Sequence, residues 1–499
     1  MKLRIFWGVS PALGLCAMAL QAQETNQSGP VQQLQQQLRQ LQESFEKTQQ
    51  QYRQQFETLQ RQIDALQPAS AGQASAAAEK KKLEAEIAAQ FGTPPGAASN
   101  APTSSALEPK KWSPAQPITV MRAGSAYMNI SFDALMDFGW STAPDPSKQL
   151  QLGDHDPIQR GFSLRNAEIT LDGAVDPYFK GAANIVYKLD KNNQSEVELE
   201  EAYLQSTGLP ANLQVKAGQF FANFGRQNPQ HPHTWAFVDQ PIILGRAFGP
   251  DGLRNVGAQA SWLAPLPFFT ELSLGVLDSS GGTAFSFRNP GDPDPFGTNR
   301  FSGRATSNRA LRGPGDLLFV PRLSSSFDLT DQQTLVLGLS AAFGPNDTGP
   351  HDHTEIYGTD IYWKWKSPTA NQGFPFVSWQ TEALWRRYDA GADPTATPAL
   401  PAARLEDYGF YSQLLWGFQP RWVAGFRGEW ATGNHDANDA NDVFRGERVR
   451  FSPVLTFYPS EFSKIRLQYN YDRGQQFGDD HSVWLQMEFL LGAHGAHKF

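Results

Sequence analysis

Apolar and polar residues alternate along most of the chain after residue 125, and this two-residue period predicts β-strands. The first such stretch places Met128, Phe132 and Phe138 on one face, with Asp133 and Asp137 on the other. The pattern recurs sixteen times without a long apolar helix. The predicted strands cover residues 126–138, 161–175, 180–190, 196–206, 212–220, 255–263, 269–278, 316–327, 333–343, 354–366, 376–388, 404–417, 421–432, 446–458, 462–471 and 481–491.

The connections between these strands alternate in length. Short turns such as Asp176–Phe179 and Ala264–Phe268 alternate with longer loops, with the short loop after Asp190 as the exception. The third connection on the long-loop side, Phe221–Arg254, is called loop three below. Short turns at one end, long loops at the other and an even strand number are typical of outer-membrane barrels. The sequence therefore predicts an all-β fold, a 16-stranded antiparallel transmembrane β-barrel over residues 122–499, preceded by a periplasmic α-helical coiled coil.

The first 22 residues have the pattern of an export signal. Within Met1–Ala22, Lys2 and Arg4 precede an apolar run, and the small residue Ala22 follows it. This arrangement predicts a signal peptide that is removed on export, with a retained membrane anchor as the alternative. The one cysteine, Cys16, lies inside this segment, so the mature chain would have no thiol for a disulfide or a metal site.

Two further segments precede the strands. Apolar residues in Val31–Leu66 follow steps of three and four, which predicts a coiled coil, and Phe45, Tyr52 and Phe56 favour a wide core and a homotrimer. A disordered Gln-rich spacer is the alternative. Residues 67–117 are rich in Pro, Ala and Ser, which predicts a linker.

The composition narrows the class of partner. The 499-residue chain has a formal net charge of -8, which argues against nucleic acid. Its mean hydropathy of -0.46 excludes a bundle of membrane helices but not a barrel, because alternating strands hide their apolar half from any sequence window. The expected partners are outer-membrane lipid, other copies of the chain and small anions, with a cell-wall contact through the coiled coil as a further possibility.

The strand period also predicts which charged residues face the lumen. A basic residue on the lipid face would cost about 2–4 kcal/mol near the bilayer midplane, so these side chains must face water. Asp133, Asp137, Glu168 and Asp172 fall on the lumen face of early strands, and we expect either anion selection or a transverse field between acidic and basic walls. The predicted pore-lining cations are Lys364, Lys366, Arg386, Arg427, Arg448, Arg450, Lys464 and Arg466.

Loop three is long enough to fold into the lumen and narrow it. His231 and His233 are two residues apart, so in extended chain both imidazoles could approach one metal ion. They are weak metal candidates because two ligands do not complete a site, and no cofactor is predicted. The charged residues expected at the constriction are Arg226, His231, His233, Asp239, Arg246 and Arg254.

The sequence does not predict an enzyme. No serine lies in a Gly-x-Ser-x-Gly elbow, and the histidines fall mostly in loops. A barrel hydrolase whose triad assembles across strands is the alternative that spacing alone leaves open.

Several segments resemble the family of phosphate-selective porins O and P. They are the Gln-rich coiled-coil start, Phe162–Glu168, Glu200–Leu204, Lys216–Phe220 and Phe224–Arg226. The resemblance covers nearly the whole mature chain. It implies a 16-stranded, usually trimeric channel in the bacterial outer membrane that passes small anions.

A second resemblance is more local. Phe224–Pro241 and the ending Gly495–Phe499 are similar to outer-membrane proteins described as zinc-regulated TonB-dependent receptors. That resemblance implies a plug domain and energised uptake. The sequence thus predicts a passive anion-preferring porin, with a zinc-linked or substrate-specific transporter and an envelope tether anchored by a barrel as alternatives.

Overall fold

The computed structural model describes residues 117–289, 300–307, 309–434, 445–475 and 477–492. The predicted signal peptide (Met1–Ala22), the coiled coil (Val31–Leu66) and all but the last residue of the linker lie outside the described residues. The ending Gly495–Phe499 also lies outside them.

The described chain is almost entirely β-structure. Its two α-helices are short, α1 (Pro146–Gln149) and α2 (Ile242–Phe248). No helix in the described part of the chain has both the length and the apolar character needed to cross a bilayer. The strands are β1 (Ile118–Ala123), β2 (Ala126–Ser141), β3 (Gly161–Ala174), β4 (Phe179–Leu189), β5 (Ser195–Ser206), β6 (Leu213–Phe221), β7 (Arg254–Leu263), β8 (Phe269–Leu277), β9 (Arg300–Phe301), β10 (Arg304–Ala305), β11 (Leu318–Thr330), β12 (Gln333–Pro345), β13 (His353–Asn371), β14 (Phe374–Ala390), β15 (Ala403–Gln419), β16 (Trp422–Gly433), β17 (Arg448–Ser460), β18 (Ser463–Gly474) and β19 (Gly478–Leu491). Within the ranges given above, four single 3₁₀ turns occur at Pro210–Asn212, Pro232–Thr234, Gly282–Ala284 and Pro314–Asp316.

Sixteen strands, β2–β8 and β11–β19, pair antiparallel with their neighbours and form a closed wall. The wall closes where β19 pairs with β2, with Leu485 opposite Phe138. Strand β8 pairs directly with β11, so the short ribbon β9–β10 lies outside the wall. The predicted sixteen-stranded antiparallel barrel is confirmed.

Two details differ from the prediction. Strand β1 pairs with β2 as an additional hairpin, and a six-residue strand is too short to show a period in the sequence. Strands β13 and β14 continue beyond their predicted turn-side ends, to Asn371 and from Phe374. The strand bodies and the alternation of short turns with long loops are as predicted.

The two faces of the wall differ in chemistry. In β19, Met487 is 45% exposed on the outer surface, whereas Gln486 beside it is 3% exposed and faces the lumen. In β2, Phe138 and Trp140 are exposed on the outside, whereas Asp137 is buried inside. An apolar outer surface around a polar interior is the arrangement of a barrel surrounded by lipid.

Candidate functional site: loop three in the lumen

Loop three leaves the wall at the end of β6 and crosses the lumen. The backbone N–H of Gly225 donates a hydrogen bond to Ser340 Oγ of β12 at 3.0 Å. The N–H of Gln227 donates to Glu382 Oε1 of β14 at 2.7 Å. Strand β14 lies far around the barrel from β6, so the loop spans the interior instead of extending outward.

The middle of loop three packs against the barrel wall through an apolar cluster. Helix α2 buries Ile242, Leu244 and Phe248 in one apolar cluster with Phe224. The rings of Phe224 and Phe248 meet edge to face, with centroids 5.0 Å apart. The cluster also includes side chains of the wall, among them Leu384, Tyr411 and Ala431. Burying side chains of this size contributes about 1.5–3 kcal/mol each, so loop three has a stable position.

Cations of the wall hold loop three by its backbone carbonyl groups. Arg466 donates to the carbonyl oxygens of Phe237 and Trp235, at 3.0 and 2.6 Å. Lys464 donates to the carbonyl oxygen of His233. The same kind of hydrogen bond joins Arg427 to Asp239 and Arg386 to Arg246, at 2.9 and 2.8 Å. We call the lumen face formed by Arg386, Arg427, Arg448, Arg450, Lys464 and Arg466 the basic wall.

The Asp239 carboxylate is the anchor of loop three on the basic wall. Its Oδ2 accepts hydrogen bonds from Arg450 at 3.1 Å and Asn470 at 2.8 Å. Its Oδ1 accepts from Gln468 at 2.9 Å and from Arg427. Burial alone would raise the pKa of Asp239. The Arg450 and Arg427 guanidinium groups outweigh that effect and lower the pKa below its ordinary value, to about 2. The carboxylate is therefore ionised at any physiological pH.

Wall carboxylates compensate the charge of the basic wall. Arg450 and Arg448 both donate to Asp472, each with its Nε 2.9 Å from a carboxylate oxygen. The remaining pairs are Arg427 with Glu429 at 2.7 Å, Arg386 with Asp407 at 2.6 Å and Lys464 with Glu488 at 2.6 Å. Six of the eight predicted pore-lining cations are thus buried on the basic wall. Five of them contact loop three, and the sixth, Arg448, pairs with Asp472 and donates to the carbonyl oxygen of Gln151.

The other two predicted cations, Lys364 and Lys366, lie in a different setting. Both are exposed and share the lumen face of β13 with Tyr362. The Arg226 guanidinium of loop three lies 3.9 Å from the centre of the Tyr362 ring, and its Nε donates to Gln380. Within the described ranges, no carboxylate oxygen lies within 4.0 Å of the cationic groups of these three residues. We call Arg226, Lys364 and Lys366 the open cationic cluster.

The lumen face of strands β2, β3 and β5 is acidic, and it holds the histidines of loop three. We call the face formed by Asp133, Glu168, Glu200 and Glu201 the acidic wall. His231 lies 3.0 Å from Glu201 and 3.1 Å from Glu200, measured between ring nitrogen and carboxylate oxygen. Loop three therefore contacts both an acidic wall and a basic wall, and the charge of the basic wall is compensated by its own carboxylates.

The remaining predicted loop residues also hold loop three to the barrel. Arg254, where β7 begins, donates to the carbonyl oxygen of Leu199 at 3.2 Å and forms an ion pair with Glu198. Arg246 of α2 donates to the carbonyl oxygen of Gly446 at 2.8 Å. All six charged residues predicted for a constriction are thus at the interface between loop three and the barrel, although their role in permeation stays a prediction.

Sequence reasoning missed two features of this site. Glu200 and Glu201 both face the lumen because a β-bulge interrupts the pairing of β4 with β5, where Asn184 pairs with Glu201 but Ile185 pairs with Leu199. A regular two-residue period would have placed one carboxylate outside. Asp472 was also missed, since it lies one residue beyond the predicted end of its strand.

We expect Gly225→Ala to loosen the docking of loop three. Gly225 has φ of +60°, and a Cβ there would lie 2.1 Å from Glu382 Oε2. The left-handed backbone alone costs a non-glycine residue about 1–2 kcal/mol, and displacing the carboxylate adds to that. Gly124→Ala is the matched control, because Gly124 has the same φ and no atom within 4 Å of the added Cβ. Urea unfolding of both variants in lipid vesicles checks the prediction, and an equal loss of stability would contradict it.

Together these features define a closed sixteen-stranded β-barrel with a packed loop in its lumen. No family model matches the sequence. A protein of Aquifex aeolicus (strain VF5), described as an uncharacterized protein, is 33% identical over 359 residues, which is 68% of this chain and 71% of the relative. The chain belongs to the family of that Aquifex protein.

Several solved barrels have a similar fold. The outer membrane channel DcaP of Acinetobacter baumannii is 11% identical with a TM-score of 0.48, and 74% of this chain aligns with 98% of that one. An anion-selective porin from Comamonas acidovorans is 7% identical with a TM-score of 0.44, and 73% of this chain aligns with 100% of that one. OmpF of Salmonella typhi is 12% identical with a TM-score of 0.44, over 74% and 98% of the two chains. Likenesses this distant say nothing about what the chain transports.

Proposed function

We propose that this protein is a porin of the bacterial outer membrane, a passive diffusion channel that prefers small anions. The observation that carries the proposal is the open cationic cluster, which lies between loop three and the rim at the short-turn end of the barrel. Lys364 and Lys366 are exposed to solvent although they face the lumen, which supports a hydrated space beside loop three. The apolar outer surface supports the membrane location.

In this proposal the two kinds of lumen cation have different tasks. Arg427 and Arg450 are occupied by Asp239 and wall carboxylates, so they position loop three and contribute little net field. The open cationic cluster attracts anions without a bound carboxylate to displace. Two of its three charges, on Lys364 and Lys366, lie on exposed side chains, so the attraction admits an anion and still releases it, as conduction requires. Phosphate-type anions belong to the solutes that such a cluster would admit.

Reversal potentials in planar bilayers test the anion preference. The purified full chain is inserted between asymmetric potassium chloride solutions, and the zero-current potential is measured. We expect a potential of the sign that chloride permeation produces, and its magnitude should shrink as the total salt concentration rises because salt screens exposed charges. A potential of the opposite sign would contradict the preference for anions while leaving the barrel intact.

We also propose that the chain assembles as a homotrimer through the heptad pattern of Val31–Leu66. Removing these residues is expected to convert trimers into monomers, because a solitary helix of this polarity has no surface on which to bury its apolar seam. Mass measurement of the detergent-solubilised protein checks this. As a control, removing residues 67–90 of the linker should leave the trimer intact, and a trimer that survives loss of the heptads would contradict the proposal.

A further inference from the structure

Three potential metal ligands converge where loop three meets the acidic wall. His231 Nδ1 lies 3.1 Å from Glu200 Oε2 and 3.3 Å from Glu168 Oε2, and the three ligand atoms lie within 4.8 Å of one another. The three residues are 4%, 1% and 0% exposed. Charge-assisted hydrogen bonds are shorter, about 2.7–2.9 Å. Ligands on a tetrahedral zinc at about 2.0 Å would be separated by about 3.3 Å, close to the observed distances.

The second polar atom of each of these three side chains contacts a neighbouring residue. His231 Nε2 lies 3.0 Å from Glu201 Oε2, and Glu200 Oε1 lies 2.7 Å from His155 Nε2. Glu168 Oε1 accepts a hydrogen bond from Thr170 at 3.0 Å. Metal ligands are commonly oriented by such outer contacts, which hold one atom of the side chain and aim the other at the ion.

Two of the atoms aimed at the centre of the cluster, on His231 and Glu200, make no hydrogen bond in the described part of the chain. His231 Nδ1 and Glu200 Oε2 are both fully buried, and neither makes a hydrogen bond within the described structure. When the ring carries its proton on Nε2 only, the lone pair of Nδ1 faces two carboxylate oxygens, which is repulsive. A cation between the three atoms removes this repulsion, as a second proton on the ring would.

We propose that Glu168, Glu200 and His231 bind a divalent transition-metal cation of the zinc class, which fastens loop three to the acidic wall. Two carboxylate oxygens and one imidazole nitrogen suit such an ion, whereas Ca²⁺ takes six to eight oxygen ligands. Two of the ligands belong to β3 and β5 and the third to loop three. The ion therefore joins elements that the chain connects only through β6.

The neighbouring residues extend the site. His233 Nδ1 lies 3.8 Å from Glu168 Oε2 and 3.7 Å from Asp133 Oδ1, and Asp133, Glu168 and His233 form a second group with converging ligand atoms. Glu168 belongs to both groups. Asp133 and Glu168 are paired across β2 and β3, so the sheet fixes their separation.

The β-bulge in β5 is what makes the site. Glu200 is the extra residue between the pairs Asn184–Glu201 and Ile185–Leu199. Without the bulge, adjacent residues would face opposite sides of the wall, and Glu200 and Glu201 could not both reach His231. The bulge places Glu200 beside Glu168 and Glu201, and a bound cation would compensate this concentration of buried carboxylates together with His155.

Calorimetric titration of the folded full chain in detergent, after treatment with chelator, tests the proposal. We expect Zn²⁺ to bind stoichiometrically and at least tenfold more tightly than Ca²⁺. Glu200→Gln, which keeps the shape of the side chain, and His231→Ala should each weaken Zn²⁺ binding by about 100-fold, and Glu201→Gln by about 10–100-fold through loss of the outer contact. The matched control is His351→Ala/His353→Ala, which removes the other described His-x-His pair, at the exposed start of β13, and should leave the affinity unchanged.

X-ray absorption at the zinc edge gives an independent readout. It should show one imidazole nitrogen and carboxylate oxygens at about 2.0–2.2 Å. The proposal is overturned if the wild-type chain binds no stoichiometric Zn²⁺, if Ca²⁺ binds as tightly, or if the control pair matters as much as Glu200 and His231. None of these outcomes bears on conduction, so the porin proposal is tested separately.

Discussion

Asp239→Ala is expected to lower the free energy of unfolding by about 3–5 kcal/mol, because it leaves Arg427 and Arg450 buried with one fewer carboxylate. Gln468 and Asn470 also lose their acceptor on loop three. Since this carboxylate joins loop three to the basic wall, its loss should also let the loop move out of the lumen. Urea unfolding in lipid vesicles measures the first effect, and a rise in single-channel conductance measures the second.

Two further variants separate the loss of the Asp239 charge from the effect of removing any carboxylate. Asp239→Asn keeps one acceptor oxygen without the charge, so it should fall between wild type and Asp239→Ala. Asp328→Ala removes an exposed carboxylate near the end of β11 and should change stability by less than about 0.5 kcal/mol. If Asp239→Ala were as mild as Asp328→Ala, the anchoring of loop three by Asp239 would be wrong.

Lys364→Gln/Lys366→Gln is expected to lower the ratio of anion to cation permeability roughly tenfold. In water each charge attracts an anion and repels a cation ~7 Å away by about 0.6 kcal/mol, and screening at about 0.1 M salt halves both effects. The two side chains are exposed, and their removal leaves no buried carboxylate without a partner. Stability should therefore change little. Reversal potentials in asymmetric potassium chloride measure the effect.

The control for this pair is Lys191→Gln. Lys191 is also exposed, but it lies in the short loop between β4 and β5, outside the lumen face of the wall. Its replacement should leave the reversal potential unchanged. Equal shifts for the lumen pair and for Lys191 would show that overall charge, not the open cationic cluster, sets the preference.

The barrel could be predicted because each strand carries its own pattern of apolar and polar residues. One face of every strand meets an apolar surrounding and the other meets water, so the two-residue period is present in each segment separately. Closure then followed from the even number of strands and the alternation of turns and loops. The lumen position of Arg450 and Arg466 followed from the same period, because the opposite parity would place a guanidinium in lipid.

The contacts inside the lumen could not be predicted in the same way. Asp239 lies more than 180 residues before Arg427 in the chain, and no period connects a loop residue to the wall that it reaches. Nothing in the sequence therefore indicated that the cations of the basic wall are paired with carboxylates and with loop three. Of the eight predicted cations, only Lys364 and Lys366 are exposed as the sequence suggested. The bulge at Glu200 interrupts the two-residue period. A prediction that assigns alternate residues to opposite faces therefore places either Glu200 or Glu201 on the wrong face.

Single-channel recording of the purified full chain in planar bilayers tests the central claim, that a lipid-surrounded barrel conducts ions past a loop held between two charged walls. The claim predicts discrete conductance steps for the wild-type protein and larger steps for Asp239→Ala, in which loop three is released. A wild-type protein that inserts into the bilayer without conducting, or steps of equal size in the two proteins, would contradict it.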